Sequence, residues 1–165
     1  MNGRSWTVVL SACLLAAVTV AVALLGRRLV AVTVRGVSME PTYRDGDRVL
    51  VRRRCVPRVG QVVVVERPMH RGEWPAPPVA GHVGGVAASR VEWLIKRVVA
   101  VPGDPVPRDV VPALADVPED RVPVGRLVLL GDNRGASFDS AEVGYFPTDR
   151  VLGTVRRRLS SERSG

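Results

Sequence analysis

Histidine, cysteine, lysine and aromatic residues are all scarce in this chain of 165 residues. Two cysteines, Cys13 and Cys55, cannot build a disulfide scaffold or a four-cysteine zinc site. Two histidines, His70 and His82, are too few for most histidine-based metal centres, and both fall in a Gly/Pro-rich stretch where solvated loop residues are the ordinary reading. Aromatics make up 4% of the chain, too few for a base-stacking surface on RNA. No metal or cofactor is expected. The formal net charge of +8 points first to nucleic acid or an anionic membrane. The composition of that charge is more telling than its sign. Of the 24 basic residues all but one are Arg; the exception is Lys96.

One long apolar run is present. Trp6 to Leu25 is 20 residues without a charge, enough for a helix of roughly 30 Å, the thickness of a bilayer's hydrocarbon core. A cleaved signal peptide is the rival reading, but it calls for a shorter apolar core and a small-residue cleavage site. Here the run meets Arg27 and Arg28 almost directly, so residues 6–25 are expected to be an uncleaved transmembrane anchor behind a short tail, 1–5. The positive-inside rule sets Arg4 against Arg27, Arg28 and Arg35, and by itself it would keep the following domain in the cytoplasm.

After residue 28 no helical period is sustained. Short Val-rich runs alternate with turns such as Arg44-Asp45-Gly46-Asp47 and Pro102-Gly103-Asp104. The runs are Leu29–Val34, Arg48–Val51, Gln61–Val65, Val91–Val101, Leu127–Leu130 and Val151–Val155. They predict a mostly β, antiparallel domain over residues 29–159. Pro68–Ser89 and Pro105–Pro123 read as loops, Arg156-Arg157-Arg158 as a solvated or membrane-surface basic patch, and 160–165 as a tail.

Three clusters carry chemistry. Strand alternation puts Leu94, Lys96, Val98 and Ala100 on one face and Trp93, Ile95, Arg97 and Val99 on the other. A lysine on an apolar strand is ordinarily one that snorkels to water. Arg would snorkel as well, however, and Arg cannot lose its proton, whereas burial can make Lys neutral near pH 7. Lys96 is therefore a candidate general base. Ser38 lies on a bend fixed by Pro41, and a Ser–Lys pair is an established way to activate a hydroxyl without histidine. Gly131–Ser140 reads alone as a tight turn capped by its own side chains. Beside a Ser and a Lys, it is also a source of partners for the amine.

Together these clusters resemble the type I signal peptidases, the membrane-anchored Ser–Lys leader peptidases. VRGVSMEPT (Val34–Thr42) resembles that family's nucleophile box, IKRVVAVPGD (Ile95–Asp104) its lysine box, and GDNRGASFDS (Gly131–Ser140) its third box. GQVVVV (Gly60–Val65) resembles the strand between the first two. The order matches, as does an anchor ahead of the first box.

The resemblance implies a transmembrane helix followed by an antiparallel β-sheet, partial-barrel peptidase domain of the signal peptidase type. It implies Ser38 as nucleophile, its own N–H contributing to the oxyanion hole, and Lys96 as neutral base. Ser137 would orient the Lys96 amine, and Asp139 and Ser140 would support the site. Met39 would pack beneath the nucleophile, and Gly131, Asp132 and Asn133 would shape the third loop. Three departures stand out. Gly36 occupies the place where some members carry a serine that completes the oxyanion hole, a donor worth about 3 kcal/mol. Ala141 replaces an Arg expected to pair with Asp139, a role left to Arg97 or Arg134. Gln61 stands where an Asp is usual.

The implied reaction is acyl transfer to Ser38, followed by hydrolysis by a water that Lys96 activates. The implied partners are membrane lipid and exported precursors with small residues at the first and third positions before the cut, bound as an extended strand. No nucleic-acid partner is expected. The anchor would place the domain on the extracytoplasmic face of the plasma membrane, against the charge count. A dedicated peptidase for one precursor, a LexA-like self-cleaving Ser–Lys protein and a non-catalytic membrane-tethered module are the alternatives.

Overall fold

The computed structural model describes residues 13–16, 19, 28–69, 73, 74, 77, 78 and 92–160. The expected anchor lies mostly outside the described residues, as do both histidines and most of loop 68–89. The five described residues of the anchor are helical, and the Thr19 hydroxyl donates to the Leu15 carbonyl one turn back at 2.7 Å. Among the described residues no helix is long and apolar enough to cross a membrane.

The β-branched runs form one antiparallel sheet. Its strands are β1 (Leu29–Thr33), β2 (Arg48–Arg53), β3 (Val62–Glu66), β4 (Trp93–Ala100), β5 (Arg126–Leu130), β6 (Phe146–Pro147) and β7 (Val151–Ser160). They lie in the order β1-β2-β7-β3-β4-β5-β6 in a curled, half-barrel sheet. A short helix, α1 (Ser140–Val143), starts at the last residue of the third box.

β3 is buried at all five positions, so its sequence shows no polar alternation: both faces are covered. On one face Val62 and Val64 join Val49, Val51, Ile95, Leu152, Val34 and Met39. On the other, Val63 and Val65 join Val98, Leu127, Leu129 and Phe146. A third cluster is built from Ala100, Val128 and Leu130 together with Val106, Val111, Leu114 and Val122.

That third cluster adds buried contacts to Pro105–Pro123, which reads from the sequence as a loop and lacks regular strands. The segment carries a 3-10 turn at Pro112–Leu114 and a bridge between Pro105 and Arg121, and it buries four apolar side chains under β4 and β5. Its prolines suppress regular strands, which hid its apolar content. Ala100 also differs from expectation. A register shift between Val98 and Ala100 turns Ala100 away from the Lys96 face, into the cluster with Val128.

The basic run Arg156–Arg158 is exposed, and it is also part of the sheet. It continues β7 along β2, with Arg157 opposite Leu50 and Arg158 opposite Val49. Arg158 pairs with the buried carboxylate of Asp47 at 3.1 Å and lies over the Tyr43 ring, so it braces the segment that follows Ser38.

Candidate active site

The nucleophile candidate follows β1 on a turn made by the chain itself. Glu40 N–H donates to the Val37 carbonyl at 3.1 Å and Tyr43 N–H to the Met39 carbonyl at 2.9 Å, closing the bend around Ser38. Met39 is fully buried beneath it. Gly36 adopts φ +79°, a left-handed conformation that side chains strain to reach, and its N–H donates to the Asp45 carboxylate at 2.6 Å. Gly36 therefore fixes the approach to Ser38 through its backbone. Gln61 closes the turn into β3, where its side-chain oxygen accepts from the Arg58 N–H at 3.1 Å.

Lys96 sits in mid-strand on β4, opposite Val63 of β3, and is 1% exposed. Its Nζ donates to the Ser137 hydroxyl at 3.0 Å. Ser137 in turn donates to Asp139, a carboxylate that also accepts from the Gly131 N–H at 2.7 Å and, as N-cap of α1, from the Ala141 N–H at 2.9 Å. Asp139 therefore acts on the amine through an intervening hydroxyl. Burial depresses the Lys96 pKa, the Asp139 charge raises it, the Arg67 charge lowers it and the Glu142 charge raises it, for a value of about 8. The neutral amine thus predominates above pH 8, somewhat higher than the near-neutral value expected from burial alone, because two carboxylates oppose the desolvation.

Arg97, the next residue, faces the other way. Its guanidinium grips Asp132 with two bonds, Nε to Oδ1 at 2.7 Å and Nη2 to Oδ2 at 2.6 Å, and reaches the Gly60 carbonyl at 2.8 Å. Thr42 adds a hydroxyl donor to the same Asp132 carboxylate at 2.5 Å. The bonds from Arg97 and then from Thr42 hold the Asp132 carboxyl below its usual range, and the same pairing raises the Arg97 pKa. Arg97 therefore does not take the place of the missing partner of Asp139. Arg134 does not either: it is exposed, and its charge acts on Asp132. Asp139 is satisfied by hydrogen-bond donors instead.

The third loop joins the two halves. β5 runs to Leu130, opposite Arg97, so Gly131 emerges beside Lys96. A Cβ at Gly131 would overlap the Ser137 side chain and lie 2.6 Å from the Ser38 carbonyl, so a glycine is required where these two serines close on one point. Asn133 completes the join: its N–H donates to the Ser38 carbonyl at 3.0 Å and its side-chain amide to the Val37 carbonyl at 3.3 Å. Ser140, fully buried, accepts the Leu129 N–H at 2.8 Å and pins the start of α1 to β5.

Of the residues singled out from the sequence, Lys96, Ser137, Asp139 and Gly131 are joined by direct contacts, the Ser38 carbonyl abuts Gly131 and accepts from Asn133, and Arg97 pairs with Asp132 alongside, whereas Gly36 bonds Asp45 and Ser140 bonds Leu129 outside that set. Sequence reasoning missed Thr42, whose partner lies 90 residues away, and the brace from Arg158. Thr42 closes the nucleophile box, but nothing local to it indicates what it touches. Among the described residues no three His, Cys, Asp or Glu side chains converge as a metal site requires.

A buried, neutralisable lysine whose amine is bonded to a serine hydroxyl backed by a carboxylate, on a loop that also meets the Ser38 backbone carbonyl, is an arrangement compatible with acyl transfer. The chain matches the family described as "Signal peptidase, peptidase S26" over residues 4–111 and 109–159, and it belongs to that family. It is 31% identical over 136 residues to the probable signal peptidase I-1 of Synechocystis, an alignment covering 70% of this chain and 63% of that protein. It is 30% identical over 136 residues to the chloroplastic thylakoidal processing peptidase 1 of Arabidopsis thaliana, covering 70% of this chain and 37% of that one. The chain thus spans less than two thirds of the length of either relative.

Proposed function

We propose that this protein is a membrane-anchored serine endopeptidase that removes N-terminal signal peptides from exported precursors, with Ser38 as nucleophile and Lys96 as general base. The observation that carries the proposal is the buried Lys96 amine bonded to Ser137 at 3.0 Å, next to the glycine that abuts the Ser38 carbonyl. Ser137 donates its hydroxyl hydrogen bond to Asp139 and presents a lone pair to Lys96. One amine N–H is thereby engaged, and the nitrogen lone pair is left to accept the Ser38 proton. Ser38 then attacks the scissile carbonyl, the C–N bond breaks, and Lys96 returns the proton to the leaving amine. Water, deprotonated in turn by Lys96, hydrolyses the ester. Among the described residues no acceptor takes the Ser38 N–H, which leaves it for the oxyanion.

Membrane attachment rests on the uncharged run 6–25, which ends close to β1. The Arg53 N–H donates to the Arg28 carbonyl at 2.7 Å, so exposed Arg52 and Arg54, with Val56 and Val59 beyond them, stand at the end of the domain where that run enters. Lipid contact there is compatible with a single-pass anchor and an extracytoplasmic domain. Precursors with small residues at the first and third positions before the cut are the substrate class.

The test is cleavage of such a precursor by the full chain in detergent or vesicles. Ser38→Ala, Lys96→Ala and Lys96→Arg are each expected to lose activity by at least about a thousandfold. Retention of wild-type cleavage by Lys96→Arg, which cannot deprotonate, would rule out the neutral-base mechanism.

A further inference from the structure

The residue that follows β3, Arg67, lies on the sheet face that carries Lys96. Val63 lies opposite Lys96 and Val65 opposite Leu94, so strand alternation carries Arg67 to the Lys96 face, and its N–H donates to the Glu92 carbonyl at 2.8 Å. Its guanidinium is held twice. It lies over the Phe138 ring, 5.1 Å from the centroid, and Nη1 bonds the Glu92 carboxylate at 2.9 Å. Phe138 stands in sequence between Ser137, which takes the Lys96 bond, and Asp139. The two anchors of the guanidinium are unequal. The Glu92 side chain is 70% exposed against 40% for Arg67, so the compensating carboxylate is largely in water, whereas the ring that seats the cation carries no net charge.

We propose that Arg67 is a positioning residue of the peptidase site: seated on Phe138, next to the serine that takes the Lys96 bond, its fixed positive charge favours the neutral amine of Lys96. Among the described residues, the charged groups that bear on Lys96 are Asp139 behind Ser137, Arg67, and Glu142 on α1. The two carboxylates favour the ammonium form, and Arg67 is the cation set against them. The inference rests on the Ser38–Lys96 reading above.

The experiment is the pH dependence of kcat/KM for precursor cleavage by the full chain, comparing wild type with Arg67→Gln, Arg67→Lys and Glu92→Gln, with Ser38→Ala assayed alongside. Arg67→Gln is expected to move the acid limb upward by about half a pH unit at low salt, and the displacement should shrink as salt is added. Arg67→Lys, which keeps the charge, should hold the limb near its wild-type position. Glu92→Gln should leave it there or move it down. If Arg67→Gln lowers only the plateau and leaves the midpoint in place, or if Glu92→Gln moves the midpoint upward, the proposal is overturned. Cleavage by Ser38→Ala at the wild-type rate would instead overturn the Ser–Lys reading beneath it.

Discussion

Lys96 and Arg97 are adjacent on one strand, and each answers to a carboxylate from the same loop, yet the two pairs are built differently. Asp132 holds Arg97 directly, by a bidentate bond at 2.6 and 2.7 Å, and both charges are deepened by the contact. Asp139 reaches Lys96 only through the Ser137 hydroxyl, so its pull on the proton is outweighed by desolvation. The first pair is a clasp. It ties the lysine strand to the third loop and, through Thr42, to the nucleophile turn. The second keeps a cation-forming group close to neutrality. Arg suits the clasp and Lys the second position because only Lys can give up its proton.

The largest effect expected from breaking this contrast is on stability. Lys96 titrates from an ordinary 10.5 to about 8 in the folded chain, so the unfolded chain binds more protons between those values and stability rises with pH across that window. Removing the charge in Lys96→Met should stabilise the fold by roughly 2–3 kcal/mol at pH 7 and abolish the rise, as read by denaturant titration at pH 7 and 10. If Lys96→Met is less stable than wild type at pH 7, the buried amine is not carrying that cost.

Asp132→Asn should act in the opposite direction. Loss of the Arg97 clasp should destabilise the fold by roughly 1–2 kcal/mol, because Arg97 is 33% exposed and the bond is partly screened. Wild-type Asp132 titrates low, so its contribution is present at neutral pH and fades as pH falls through that depressed value. An Asp132→Asn chain with wild-type stability at pH 7 would show the clasp to be ornamental.

Ser137→Ala leaves the fold largely alone but deprives the Lys96 amine of its acceptor. A fall in kcat of about a hundredfold, with KM little changed, is expected from steady-state cleavage. A change confined to KM would mean that Ser137 contacts substrate instead of orienting the base.

Most of the sheet was legible because its strands are β-branched runs closed by turn residues. All six expected runs recur as β1 to β5 and β7. The two-residue β6 is too short to leave a pattern. The apolar cluster under Pro105–Pro123 was hidden by prolines that break periodicity without preventing burial. The bulge that turns Ala100 to the other face depends on pairing with β5, which no local signal reports. The site was legible for a different reason. Ser38, Lys96, Ser137 and Asp139 lie in motifs that are ordinary one by one and informative only together, in the order of a known family. Thr42, Arg67 and Arg158 escaped because their roles arise from contacts across the fold, with Asp132, Phe138 and Asp47. The arginines also proved to have structural work: Arg97, Arg150 and Arg158 are paired with Asp132, Glu66 and Asp47.

Because Lys96 is the chain's sole lysine, its titration can be read without assignment by mutagenesis. Protein labelled at the lysine side chain should give a single ammonium-to-amine NMR transition. The account predicts a midpoint near pH 8 in the folded chain, moving to about 10.5 on unfolding. A midpoint near 10.5 in the folded chain would contradict it.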